Sequence, residues 1–238
     1  MLGTLENLCE LDPAASALLT NKKPLSIGFE VKNGPSATLT FKNGKCRMEQ
    51  GAQNCDIKLP FSSCEKFNGL LDGTVTPIPS KGFVHIGFLL KDFSALTDLL
   101  TKYMRPTPED LEDEDFFVIS TSLMFYTISV AISQIANNDK IGMFSADHMV
   151  DGDIEMSIEG GPAATVRVKN HRLVTIKCAP SNPRAVMHFS SVKLARDLFD
   201  GKVNAVASIG SGKIMMKGMV SMLDNLNRLL DRVALYLS

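Results

Sequence analysis

Four histidines, His85, His148, His171 and His188, are the first residues to test for catalysis or metal binding. No two stand at a spacing that puts two imidazoles on one metal, and neither His-Glu-x-x-His nor His-x-Glu occurs. His171 falls in an expected hairpin turn, and His85 and His188 fall in expected strands. Structural roles follow for each. Gly210-Ser211-Gly212-Lys213 looks like the end of a phosphate-binding loop. That pattern needs Gly at 207 and Ser or Thr at 214, where the chain has Ala207 and Ile214. A strand rather than a helix is expected to follow, so the segment reads as a turn. No Gly-x-Ser-x-Gly elbow is present, and the residues suggest no nucleophile, base and orienter set. The expectation is a non-enzymatic chain with no catalytic residue, no metal ligand and no cofactor.

The remaining chemistry is apolar. Met143, Met149, Met156, Met187, Met215, Met216, Met219 and Met222 crowd the second half. An expected strand carries Ile214, Met215 and Met216. The helix after it places Met219, Met222, Leu223, Leu226, Leu229, Leu230, Val233 and Leu237 on one face, with Asp224, Asn225, Arg228, Asp231 and Arg232 opposite. Methionine adapts to irregular apolar shapes. Ile214, Met215, Met216, Met219, Met222, Leu223 and Leu226 are therefore the expected wall of a cavity for an apolar ligand. The plain alternative is an ordinary core in which methionines fill gaps.

The elements that would position these residues occur twice. Asn33-Gly34-Pro35-Ser36-Ala37-Thr38-Leu39 is answered 127 residues on, from Gly34 to Gly161, by Gly160-Gly161-Pro162-Ala163-Ala164-Thr165-Val166. Phe41-Lys42-Asn43 meets Val168-Lys169-Asn170. One residue further in offset, Phe61-Ser62-Ser63 meets Phe189-Ser190-Ser191, and Leu71-Asp72-Gly73 meets Phe199-Asp200-Gly201. Such a period is the size of a small domain rather than of a solenoid repeat. Each copy reads as helix, meander, helix, strand, helix. Asp12-Pro13 is a helix start, Asn43-Gly44 a hairpin turn, and Phe83 to Phe88 an apolar strand before a helix from about Leu89 to Met104. The fold class is α+β: two modules, 1–106 and 107–238, each a mostly antiparallel sheet covered by helices on one face. Arg105-Pro106-Thr107-Pro108 is the expected linker.

Composition narrows the partners. A formal net charge of −1, without a Lys/Arg run, gives no pull toward nucleic acid. Five cysteines without Cys-x-x-Cys suit reduced, mostly buried thiols and a cytoplasmic protein. The N-terminus lacks the basic region of a signal peptide. Phe116 to Ala136 has no charged residue and could span a bilayer by length, but its Ser, Thr and Gln residues point to a buried helix. Transient contact with a membrane surface stays compatible with its apolar character.

The second copy resembles the C-terminal half of a sterol carrier protein domain. The resemblance rests on Ala185-Val186-Met187-His188-Phe189-Ser190-Ser191, on Leu198-Phe199-Asp200-Gly201-Lys202-Val203 and on Ser211-Gly212-Lys213-Ile214-Met215-Met216-Lys217-Gly218. The first copy is similar but looser, since Lys81-Gly82 inverts the Gly-Lys pair. The resemblance implies a five-stranded, mostly antiparallel sheet, helices on one face, and an apolar tunnel for sterols, fatty acids or acyl chains. It implies a lipid-binding or lipid-carrier protein whose partner is an apolar small molecule. The other reading is a protein-interaction scaffold without a bound lipid.

Overall fold

The structure is a computed structural model. It describes residues 2–71 and 73–237, and the backbone alone at Leu237. Asp72 of the matched Leu71-Asp72-Gly73 segment, and the Leu237 side chain, lie outside the described residues. The chain divides after Thr107 into two compact units.

The first unit opens with α1 (Thr4–Leu11) and α2 (Pro13–Leu19), then β1 (Leu25–Val31), β2 (Ser36–Lys42), β3 (Lys45–Gln50) and β4 (Ile57–Phe61). The helix α3 (Cys64–Leu71) follows, and α4 (Ser94–Met104) closes the unit. Asp12 starts α2: its carboxylate accepts the Ala14 N–H at 2.8 Å, and Pro13 takes the first helical position. The sheet order is β3-β2-β1-β4, antiparallel except for the parallel pair β1 and β4. Ile27, Phe29, Val31, Leu39, Phe41, Ile57, Leu59 and Phe61 alternate onto one buried face. Phe29, Phe41 and Phe93 meet there, with ring centroids 6.1–6.2 Å apart.

The second unit runs α5 (Glu114–Asn138), α6 (Lys140–Asp147), β5 (Gly152–Ile158), β6 (Ala163–Lys169), β7 (Arg172–Ile176), β8 (Ala185–Phe189), α7 (Val192–Phe199), α8 (Ala205–Gly210), β9 (Ile214–Gly218) and α9 (Val220–Leu237). Its sheet is β7-β6-β5-β8-β9, with β5 and β8 parallel. The alternate residues Ile154, Met156, Ile158, Val166, Met187 and Phe189 share one core with side chains of α5, α7 and α9.

The two units repeat one plan at the offsets read from sequence. In the first, Ile27, Phe29 and Val31 pair with Ile57, Leu59 and Phe61; in the second, Ile154, Met156 and Ile158 pair with Ala185, Met187 and Phe189. Gly34 N–H donates to Val31 O at 3.0 Å, and Gly161 N–H to Ile158 O at 2.9 Å, so the two glycine-proline turns are equivalent. Asn43-Gly44 and Asn170-His171 both turn through left-handed backbone, with φ of 51°, 77°, 50° and 60°. Asp139 starts α6 as Asp12 starts α2, accepting from Ile141 N–H and Gly142 N–H.

One expected strand is absent. Phe83 to Phe88 is helical: a 3₁₀ turn (Phe83–His85) leads toward a π-helical turn (Phe88–Phe93) that runs into α4. His85 accordingly sits in a helical turn, not a strand. The partner of β4 lies earlier and shrinks to a single bridge, Lys58 with Lys81. Pro77 and Pro79 have no N–H to donate to a ladder, which confines pairing to Ser80 and Lys81. The glycines give the correct alignment. Gly82 (φ 86°) lies against the Asp56 carbonyl, where a Cβ would come within 2.3 Å; Gly218 (φ 94°) lies against Arg184 O, where a Cβ would come within 2.1 Å. Lys81-Gly82 therefore matches Lys217-Gly218, not Gly212-Lys213.

The apolar helix α5 is buried on its own unit. Ser129, Ser133 and Asn137, each four residues apart, run along the free edge of β7. Asn137 Nδ2 donates to Leu173 O at 2.7 Å and its Oδ1 accepts from Leu173 N–H at 3.0 Å, as a neighbouring strand would. Thr175 Oγ1 donates to Ser129 O at 2.7 Å and lies 2.6 Å from Ser133 Oγ. Further along α5, Ser120 Oγ accepts from Nη1 of the buried Arg196 at 2.8 Å; Arg196 Nε lies 2.9 Å from Asp200 Oδ1. Of the polar residues that interrupt this helix, Ser133 and Asn137 meet the sheet edge and Ser120 meets α7, while the hydroxyls of Thr121, Thr127 and Ser129 donate to the carbonyls four residues back in the helix itself. By length and composition α5 could cross a membrane, and half of its most apolar window is buried.

Candidate functional site

The expected wall residues separate into two sets. On β9, Ile214 pairs with Phe189 and Met216 with Met187, and these four side chains join the core cluster. Met215 pairs with His188 and projects from the opposite face, as the two-residue period of a strand requires. Gly218 turns the chain, Met219 N–H donates to Arg184 O at 2.9 Å, and α9 begins. On α9, Met222, Leu226, Leu229 and Val233 form the inner stripe, flanked by Leu223 and the partly buried Leu230. Met219 lies outside this cluster and is 36% exposed, as is Met215. The structure thus brings together Ile214, Met216, Met222, Leu223 and Leu226, and places Met215 and Met219 elsewhere. Asn225, expected on the outer face, is buried, with its Nδ2 donating to Ser221 O at 2.9 Å.

A polar latch holds α9 in place. Asp139 receives Arg232 Nε at 3.2 Å, Arg232 Nη2 at 3.1 Å and Tyr236 OH at 2.8 Å, besides the two amides of α6. The Arg232 hydrogen bonds, then the Gly142 amide and the Tyr236 hydroxyl, hold the Asp139 carboxyl far below the usual carboxylate range. Reading the sequence for chemistry misses this group, although a signal exists: Asp139 stands 127 residues after Asp12, the helix start of the first copy.

His188 belongs to a second polar group on the outer face of the sheet. Its Nδ1 lies 3.0 Å from Ser157 Oγ and its Nε2 3.2 Å from Glu159 Oε2, while Ser157 Oγ donates to Glu155 at 2.8 Å. The side chains are those of a hydrolytic triad, but the setting is not. Ser157 stands in the central strand β5, where ladders on both sides use the backbone N–H groups that would bind an oxyanion. Its hydroxyl proton is directed at a carboxylate. Among the described residues no cluster of three or more His, Cys, Asp or Glu is placed to share a metal ion. A hollow of about 1030 Å³ lies beside β3 in the first unit. Glu6, Glu10, Lys42, Lys45, Arg47 and Glu49 line it together with Thr40, Asn43, Cys46 and Met48.

The chain resembles sterol carrier protein domains. Sterol carrier protein domain 2 of Helicoverpa armigera matches at 18% identity and a TM-score of 0.37, over 47% of this chain and 87% of that one. UbiJ-SCP2, a ubiquinone synthesis protein, matches at 11% identity and a TM-score of 0.37, over 48% and 93%. Sterol carrier protein 2 from Yarrowia lipolytica, in its apo form, matches at 19% identity and a TM-score of 0.33, over 44% and 92%. Each spans somewhat under half of this chain. No family model matches the chain, and no curated protein matches it.

Proposed function

We propose that the chain is a non-catalytic lipid-binding or lipid-carrier protein, and that its second unit takes up an apolar ligand between α9 and the sheet. The observation that carries this reading is the make-up of the α9–sheet seam. Met187, Met216 and Met222 belong there to one apolar core with Ile214, Leu223 and Leu226. A ligand would be held by burial alone, at about 0.8 kcal/mol per methylene. Met222, Leu226 and Leu229 are fully buried, so uptake requires α9 to part from the sheet. The Met side chains can re-form around a chain of variable shape.

The closed seam also favours a second reading, an interaction scaffold whose core is simply full. Titration of delipidated, folded protein with a fluorescent fatty acid separates the two. Saturable binding that is lost in Met222→Glu, in a variant still folded by circular dichroism, supports the carrier. Absence of saturable binding to the wild type leaves the scaffold. A cytoplasmic location and the absence of a nucleic-acid partner belong to the same proposal. They are supported by the free thiols and by the net charge of −1.

A further inference from the structure

Two stretches of the chain share a make-up that the core does not explain. Residues 73–91 hold Lys81, His85 and Lys91 and no Asp or Glu; residues 201–223 hold Lys202, Lys213 and Lys217 and no Asp or Glu. The whole chain has 26 acidic residues in 238, so both stretches are depleted. They fall at the same place in the plan, between the helix after the parallel strand and the inner stripe of the last helix. Both expose apolar side chains. Phe83 is 59%, Val84 89% and Leu90 70% exposed in the first, and Val206 and Val220 are each 77% exposed in the second.

The first stretch is not a loose loop. Phe88 packs against Phe41 with tilted rings and centroids 5.4 Å apart, and Phe93 against Phe29 at 6.2 Å. The segment is thereby pinned by its inner aromatics, and its outer side presents Phe83, Val84, Ile86 and Leu90 to solvent. Lys81 Nζ donates to Cys55 O at 2.6 Å, which fixes one ammonium at the root of the patch. Asp56, the carboxylate that interacts with His85 and Lys81, is already engaged by the Ser26 amide at 2.8 Å and hydroxyl at 2.7 Å. Four large apolar side chains exposed between Phe83 and Leu90 mark a place of contact. An apolar ridge with cations beside it and few anions fits a surface that is greasy below and negative above.

We propose that the first unit docks on an anionic lipid bilayer through Phe83, Val84, Ile86 and Leu90, with Lys81 and Lys91 at the headgroups. The apolar side chains enter the boundary between headgroups and acyl chains, and the ammonium groups meet the negative leaflet. Docking needs no ligand under α9, so it and the carrier reading can fail separately.

Flotation of the full chain with vesicles tests this. One set is phosphatidylcholine alone, the other phosphatidylcholine with phosphatidylserine. The wild type floats with the anionic vesicles and stays behind with the neutral ones, and added salt weakens the association. Val84→Asp with Leu90→Asp abolishes flotation while the thermal midpoint holds, because both side chains are exposed. Lys91→Gln weakens it about fivefold. Equal flotation of wild type and the double variant overturns the proposal, as does equal binding to both vesicle types. Loss of flotation only in Val206→Asp with Val220→Asp, the counterpart in the second unit, overturns it too. So does a wild type that ignores both vesicles, which would leave the patch to a protein partner.

Discussion

Asp139 and Arg232 are joined by two hydrogen bonds across 93 residues of sequence, and this pair ties the C-terminal helix to the corner between α5 and α6. The guanidinium also lies 5.5 Å from the centroid of the Tyr236 ring. At the matched corner of the first unit, Asp12 spends one oxygen on the Ala14 amide. Its other oxygen, Oδ2, is buried without a hydrogen-bond partner among the described residues. The same capping residue therefore does two jobs in one unit and one in the other.

The latch predicts an acid response. Arg232 above all, then Gly142 and Tyr236, lower the pKa of Asp139 in the folded state. A depressed carboxylate contributes stability that is present above its unfolded pKa, near 4, and is lost as the pH falls toward the folded value. Asp139→Asn should lower the thermal midpoint at neutral pH, and the gap to wild type should narrow progressively below about pH 4. Melting curves across that range check this; a gap that does not change with pH would exclude the latch as its source.

Two glycines with positive φ should differ in cost. A Cβ at Gly201 (φ 69°) would meet open space, so Gly201→Ala bears only the left-handed backbone penalty of about 1–2 kcal/mol. Gly218 (φ 94°) faces backbone, with Arg184 O and Ala185 Cα in the way at 2.1 and 3.0 Å. Gly218→Ala should be clearly the more destabilising in urea. Equal midpoints would mean that the strand-to-helix turn can relax.

Placement on α9 predicts which apolar residues matter for the fold. Leu226→Ala removes a fully buried side chain from the core and should cost about 2–5 kcal/mol. Met219→Ala, at the exposed start of the helix, should stay within about 1 kcal/mol. Comparable losses in chemical denaturation would contradict the face assignment. For the same reason a charge at Met222, not at Met219, is the informative probe of ligand uptake.

The thiols should fall into two classes. Burial, the largest cause, pushes the Cys9 thiol up to about 12 and raises Cys46 further. Cys55 is also buried, its Sγ 3.6 Å from Ala52 O. Cys64 and Cys178 are exposed. A thiol reagent at neutral pH should label Cys64 and Cys178 promptly and reach the other three only on unfolding. Rapid reaction at Cys9 or Cys46, located by peptide mapping, would show that the core of the first unit opens readily.

Part of the candidate site is legible in the residues alone. The two-residue alternation of β1, β2, β5 and β6, the turns at Asn33 and Gly160, the cap at Asp12 and the one-sided character of α9 are all visible in sequence. Each depends on neighbours within a few residues, and local sterics and periodicity govern them. The repeat tells more, because two copies at offsets 127 and 128 must close the same strand pairs.

Other features depend on contacts far apart in the chain. The apolar run from Phe83 reads as a strand, yet it is helical, because Pro77 and Pro79 leave β4 a partner of only two residues and Gly82 turns the chain early. Met215 and Met219 share the methionine-rich stretch with Met216 and Met222 but face away from the core. That division follows from the strand register with β8 and from the turn at Gly218. Ser133 and Asn137 of α5 look like dilution of an apolar helix until β7 supplies the edge they satisfy. Asp139 looks like an ordinary cap until Arg232 arrives from the last helix. Sequence by itself determined the elements and their repetition, since these answer to local periodicity; the tertiary structure decided which side chains share a seam, since that depends on which distant segments leave a backbone group or an apolar face to be covered.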